Sequence, residues 1–174
     1  LRLEIGAVGA LLYYANNTIQ HAGVLLCTEV VALHAHQFLN RGNPGYFGKA
    51  NLLQNYSAVT AACMVLRRTV FEEVGGFDEE NLPVTYNDVD LCLRIQEKGY
   101  RILWTPYAEL HHHESATLGP PTSPERLEQF LRESAYLKTR WSKLIEYDPF
   151  YNPNLTFNGG DFSLAFPPRL HEPW

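Results

Sequence analysis

Two carboxylates two residues apart, Asp88 and Asp90, and three consecutive imidazoles, His111, His112 and His113, are the groups in this chain that packing explains least. A carboxylate takes a proton from a hydroxyl that lies within about 2.6–3.2 Å of it. A neutral imidazole binds divalent metals. Asn87 precedes the acids and is a good helix cap, Asp90 then falls on the third helical position, and Gly99 stops the helix. A helix start offers unpaired N–H groups and the positive end of the dipole, so both carboxylates are expected there, directed outward. The same placement has a purely structural use in which both acids only cap the helix, and spacing alone does not separate the two. Asp90 and Arg94 lie one turn apart and are set to form an i,i+4 ion pair. The histidines likewise read either as polar surface after a strand or as metal ligands. Alternation along a strand turns His111 and His113 to one side and His112 to the other.

Several elements must carry these groups. Residues 3–14 are mostly apolar and read as a strand, Asn16-Asn17 as a turn, and residues 22–28 as a second strand. Residues 31–53 read as a long irregular loop, with His34, Arg41, Gly42, Asn43, Pro44, Gly45 and Tyr46; such length points to function or mobility, and the loop is a candidate for holding an acceptor. Residues 56–66, small and β-branched, read as a strand, and residues 69–74 as a short helix capped by Thr69. The acid-bearing helix is expected over residues 88–98, with Val89, Cys92, Leu93 and Gln96 on one face. Residues 100–104 and 108–113 read as two strands separated at Pro106. Ser123 caps a long helix running to about residue 145, with Pro124 at its first position. From Asp148 onward a Pro-, Asn- and aromatic-rich tail (Phe150, Tyr151, Phe157, Phe162, Phe166) is expected to lie extended across the surface.

Composition sets bounds. The 174 residues suit one domain with a real core, at 45% apolar and 19% charged residues. A net charge of −5, with no Lys/Arg run, gives no footprint for nucleic acid or an anionic membrane surface. No apolar stretch is long enough to span a bilayer. Cys27, Cys63 and Cys92 lie within apolar runs, as core residues of a protein from a reducing compartment would. Leu1 opens directly into a strand pattern, as though a domain had been entered partway through.

Gly75-Gly76-Phe77-Asp78-Glu79 and then Asn87-Asp88-Val89-Asp90-Leu91-Cys92-Leu93-Arg94 resemble the GGFDE…(E/N)DxDLxxR signature of family 2 glycosyltransferases. His111-His112-His113-Glu114-Ser115 resembles the family's later (L/V)-(Y/H)-H-H-x-S-x-(S/T) pattern. His112 stands 24 residues after Asp88 (112 − 88), matching the family spacing. Gln20-His21-Ala22-Gly23 and residues 55–64 are similar to weaker family segments. The likeness runs from about Gly6 to about Trp141. It implies an α/β, GT-A-like fold with a mixed sheet flanked by helices, its N-terminal nucleotide-binding half missing. Residues 1–147 would be that partial domain and residues 148–174 a tail packed on it.

The resemblance also implies a chemistry: inverting transfer of a sugar from a nucleotide-diphosphate sugar donor to a glycan or lipid-linked saccharide acceptor. Asp88 matches the family's base. His112, with His113 as the alternative, matches the residue that completes a site for a divalent metal, Mn²⁺ or Mg²⁺. Asp78, Asn87, Asp90 and Arg94 match positions near substrate. Asn87 departs from the family by replacing its usual Glu. Asp88-Val89-Asp90 also spells the family's metal-binding Asp-x-Asp, but by accident, because the true motif ends a strand ahead of this sequence. A cytoplasmic enzyme at the inner face of a membrane is implied, with no nucleic-acid partner. An apolar sheet edge left by the missing half would favour a homodimer. A non-catalytic carbohydrate-binding module and an interaction domain are the competing readings, and neither needs a carboxylate and a histidine at this spacing.

Overall fold

A computed structural model describes residues 2–113, 123–157 and 162–169. Its centre is β1 (Ile5–Tyr13), an almost wholly buried strand. One edge of β1 is shared, with β6 (Met64–Leu66) antiparallel to residues 7–9 and β2 (Ile19–His21) antiparallel to residues 12–13. Along the other edge runs β7 (Arg101–His111), parallel to β1, and the two-residue β5 (Gln54–Asn55) closes that side antiparallel to β7. β3 (Val24–Cys27) and β4 (Val31–His34) form a separate antiparallel pair. With α1 (Arg68–Glu73), α2 (Asn87–Glu97), α3 (Pro124–Arg140) and α4 (Ser142–Glu146), this is a mixed sheet flanked by helices, as the α/β, GT-A-like expectation required.

The differences from the sequence reading have local causes. The two strands expected within residues 100–113 are one, Arg101–His111. Between the pairs Gly9↔Trp104 and Leu11↔Glu109 the register shifts, and β7 carries its extra residues, Pro106 among them, in an irregularity where no ladder N–H is needed. Residues 56–66 are no continuous strand, because Thr60 turns the chain: its hydroxyl accepts from Ala62 N–H and starts a 3₁₀ turn at Ala61–Cys63. The long loop contains β4 and a second 3₁₀ segment, Tyr46–Asn51. The short helix starts at Arg68 after Arg67, with no side-chain cap from Thr69. The C-terminal helix begins as expected, Ser123 Oγ accepting from Arg126 N–H, but breaks at Trp141, which leaves helical geometry (φ −113°, ψ 24°).

The core lies between the sheet, α2 and the β3–β4 pair, around Trp104, Leu12, Leu25, Leu26, Leu91, Leu93 and Ile102. α2 approaches β1 closely enough that a Cβ at Gly6 would sit 2.3 Å from Ile95 Cγ2, so the glycine there is a packing requirement. Cys27 and Cys92 are buried free thiols. Beyond α4, Asp148 is buried and accepts from Leu26 N–H (2.7 Å), Ser57 Oγ–H (2.7 Å) and Phe150 N–H (2.8 Å). Tyr151, Leu155, Phe157 and Phe162 are also buried, with Phe162 stacked on His36 at 4.4 Å, while Phe166 is fully exposed. Tyr151, Phe157 and Phe162 therefore complete the core instead of lying across a surface, and Phe166 alone of the five tail aromatics is fully exposed. Among the described residues, no helix is long and apolar enough to cross a membrane.

Candidate functional site

Helix α2 starts one residue earlier than the sequence suggests. The residue before it, Tyr86, is left-handed (φ 60°, ψ 12°), so Asn87 lies in the first turn and makes no cap hydrogen bond. Asp88 does the capping: its Oδ1 accepts from the Val89 N–H at 2.9 Å. Its Oδ2 accepts from the Ala61 N–H, also at 2.9 Å, which ties the helix start to the turn made by Thr60. The carboxylate is half-buried on the wall of a cleft of about 110 Å³, lined also by Val24, His34, Thr60 and Tyr86. Beneath it Cys92 is fully buried; burial pushes its thiol up to about 12, so it remains a thiol packed on Val59 O.

Asp90 is not directed outward. It is wholly buried, and Oδ2 accepts from Arg94 Nε at 2.7 Å while Oδ1 accepts from Trp141 Nε1 at 2.9 Å, with Arg140 Nε 3.5 Å away. The expected Asp90–Arg94 pair thus exists, but inside the protein. Arg94 also donates to Val74 O (2.5 Å) and Gly76 O (2.6 Å), clamping the Gly-Gly turn onto α2. Asp78, from the same motif, accepts from Asn81 N–H (3.0 Å), Tyr136 O–H (2.9 Å) and Arg140. Burial pushes its carboxyl up, yet these donors outweigh it and hold the group below its ordinary range. The fully buried Glu133 of α3 fixes the next stretch by accepting from Thr85 N–H (2.5 Å) and Val84 N–H (3.4 Å). Two sets of polar contacts therefore hold residues 74–94, one around Asp78, Asp90 and Arg94 and one at Glu133, and their contributors from α3 and Trp141 carry no motif that marks them in the sequence.

The histidines divide. His111 Nε2 pairs with Asn17 Oδ1 at 2.8 Å, and His113 is exposed. His112 is half-buried against Gln20, whose amide binds it twice: Gln20 Nε2 donates to His112 O (3.3 Å) and Gln20 Oε1 faces His112 Nδ1 at 2.8 Å. With the amide oriented by the first bond, Oε1 must accept, so His112 carries a proton on Nδ1, and in the neutral ring the lone pair is on Nε2. That is the arrangement of a metal-binding histidine, oriented through its other nitrogen. Among the described residues, however, no group of three or more His, Cys, Asp or Glu side chains forms a cation cage. His112 therefore fits as one ligand, and this chain's described residues do not complete a set. Glu114 and Ser115, which finish the histidine pattern, lie outside the described residues.

His112 and Asp88 are joined through the segment Gln20-His21. Gln20 holds His112, and the adjacent His21 accepts from Thr60 N–H at Nε2 (3.5 Å), next to the Ala61 N–H that binds Asp88. Gly23, closing this segment, has φ 103°, and a Cβ there would lie 2.3 Å from the Tyr56 ring, so only glycine fits. The Arg41 loop borders a different opening of about 160 Å³ beside Tyr13, where Arg41 is held by Glu109 at 2.5 Å.

Comparison with known proteins decides the family. The profile of "Glycosyl transferase family group 2" matches residues 9–144, most of the chain. The chain belongs to this glycosyltransferase family. Among its relatives are "Uncharacterized protein y4gI" of Sinorhizobium fredii, 48% identical over 95% of this chain, and "O-antigen biosynthesis protein RfbC" of Myxococcus xanthus, 39% identical over 97%. An "N-acetylglucosaminyl-diphospho-decaprenol L-rhamnosyltransferase" of Mycobacterium tuberculosis is 36% identical over 61 residues, 35% of this chain and 20% of that protein. The chain spans only 18% and 13% of the first two relatives' lengths. The matched region contains the whole Gly75–Arg94 segment and both ends of the Asp88–His112 connection.

Proposed function

We propose that this chain is the acceptor-side portion of an inverting glycosyltransferase acting in polysaccharide biosynthesis, with Asp88 as its base. The observation that supports this most is the Asp88 carboxylate, fixed by two backbone N–H groups and opening on a cleft. In the reaction, an acceptor hydroxyl attacks the anomeric carbon of a nucleotide-diphosphate sugar. The new C–O bond forms as the bond to the diphosphate breaks on the opposite face, and the hydroxyl proton passes to Asp88. Holding the carboxylate by backbone donors keeps it oriented for in-line attack.

A divalent metal, Mn²⁺ or Mg²⁺, would neutralise charge on the leaving diphosphate. His112 would be one ligand through Nε2, with His113 as the alternative, and the remaining ligands would come from outside the described residues. Asn87, beside Asp88, is assigned a direct substrate contact. Asp78, Asp90 and Arg94 act on substrate through the turn and helix start that they hold. The acceptor is a glycan or a lipid-linked saccharide, consistent with the names carried by the Myxococcus and Mycobacterium relatives. Two such chains meeting through exposed sheet edges would make a homodimer.

The test is the stereochemistry of transfer by the full-length protein. Nucleotide-diphosphate sugars are supplied with Mn²⁺ and a polysaccharide extract from the source organism, and the new linkage is read by NMR. An anomeric configuration opposite to the donor's is expected; retained configuration would rule out a single displacement with Asp88 as base.

A further inference from the structure

The cleft beside Asp88 has a second polar wall. His34, the last residue of β4, lines it together with Thr60, Tyr86 and Asp88. Its ring meets the His21 ring edge-on, with centroids 5.0 Å apart and planes at 85°, and the two Nδ1 atoms are 2.9 Å apart. Hydrogen-bond accounting fixes both protons. His21 is completely buried, and its Nε2 accepts from the Thr60 N–H, so its single proton is on Nδ1. It therefore donates to His34 Nδ1, and the His34 proton lies on Nε2. Burial first, and then the neighbouring His34, hold His21 well below its ordinary range, which agrees with a permanently neutral ring.

This arrangement is more than two packed rings. A buried histidine costs desolvation, and a leucine would fill the same space without it. Here it sets the tautomer and angle of a residue on the cleft wall. The same two-residue turn serves both walls, because Thr60 N–H holds His21 and Ala61 N–H holds Asp88. The carboxylate and the imidazole pair are thereby locked to one backbone segment. Gln20, the neighbour of His21, fixes His112 in turn.

Resting on the reading that this cleft receives the acceptor, we propose that His34 is an acceptor-binding residue, contacting a saccharide oxygen next to the hydroxyl directed at Asp88. His21 is its positioning residue, acting through the Nδ1–Nδ1 bond. The ligand class is a neutral sugar with adjacent hydroxyls, and the contact would bear on acceptor choice, not on donor binding.

The experiment uses the full-length protein and methyl glycosides of glucose, galactose, mannose, rhamnose and N-acetylglucosamine as probes, read by saturation-transfer NMR. At least one glycoside should bind the parent protein, and Asp88→Ala should weaken it. His34→Ala should weaken the same glycoside by roughly 3–10-fold, the worth of one neutral hydrogen bond. His34→Gln, whose amide nitrogen reaches the Nε2 position, should restore most of the binding, while His34→Leu, similar in bulk, should not. Donor affinity, titrated separately, should be unchanged in all three. Binding to the parent that is equally strong in His34→Ala, but weakened by Asp88→Ala, would overturn the role of His34 and leave the acceptor cleft standing. No binding by any glycoside to the parent, or binding indifferent to both residues, would overturn the cleft reading and with it this proposal.

Discussion

Replacing Asp90 should loosen the whole motif without touching the cleft. Its two oxygens hold Arg94 at 2.7 Å and Trp141 Nε1 at 2.9 Å, and its side chain has no solvent exposure. In Asp90→Ala the Arg94 guanidinium, 12% exposed, loses its counter-ion, and the Trp141 N–H loses its acceptor. Removing one partner of a buried pair costs about 3–5 kcal/mol. An orphaned buried donor adds about 1–3 kcal/mol, not additively, so about 4 kcal/mol is a reasonable total. For a domain of this size, that corresponds to a fall in Tm of roughly 8–16 °C. Asp90→Asn retains one acceptor and should lose about half as much. Asp90→Leu combined with Arg94→Met removes both charges and should recover part of the loss, because no charge is left buried alone. Thermal unfolding followed by far-UV circular dichroism measures all three. A Tm within about 2 °C of the parent for Asp90→Ala would refute the argument that this carboxylate anchors the motif.

Acid should destabilise the fold through its buried histidines. Burial, and then the nearby Lys49 charge, lower His36 from 6.5 to about 4, and His21 is lowered in the same direction. The unfolded chain thus takes up protons first, so this stability is whole above about pH 6.5 and is lost as the pH falls toward 4, by about 3 kcal/mol for His36. Urea midpoints at stepped pH should show the fall, and His36→Asn, which tolerates the φ of 59° at that position, should flatten it; an unaltered slope would count against His36 as its source. Glu133→Ala leaves the Val84 and Thr85 N–H groups without their acceptor and should cost about 1–3 kcal/mol. Hydrogen exchange at Thr85 should accelerate markedly, and unchanged protection would mean that Glu133 does not hold this loop.

What the sequence disclosed and what it hid follow from the range of the forces involved. The strand β1, the helix over residues 87–97 and the Ser123 cap depend on periodicity and local caps, and these were legible. The Asp90–Arg94 pair was legible because i,i+4 spacing is local, but its burial was not, since that depends on Trp141 arriving from fifty-one residues away. Pro106 suggested a strand break because the register shift against β1 that accommodates it is a property of the pairing. The tail lacks periodicity, and its aromatics reach the core through long-range contacts such as those of Asp148 and the rings of His36 and Tyr46. At the site, Asp88 and His112 stood out through their resemblance to a known signature. The second wall made by His34 and His21 did not, because it needs two strands brought together and one backbone turn shared between them.

The measurement that bears most directly on this account is the turnover of full-length Asp88→Asn protein. Asparagine retains an acceptor for the Ala61 or Val89 N–H, so the fold should persist while the base is removed. Turnover should fall by roughly 10²–10⁴-fold, the usual worth of a positioned acid–base group. The donor KM should change little if the carboxylate acts mainly in the transition state. Turnover near that of the parent would contradict the assignment of Asp88 as the base.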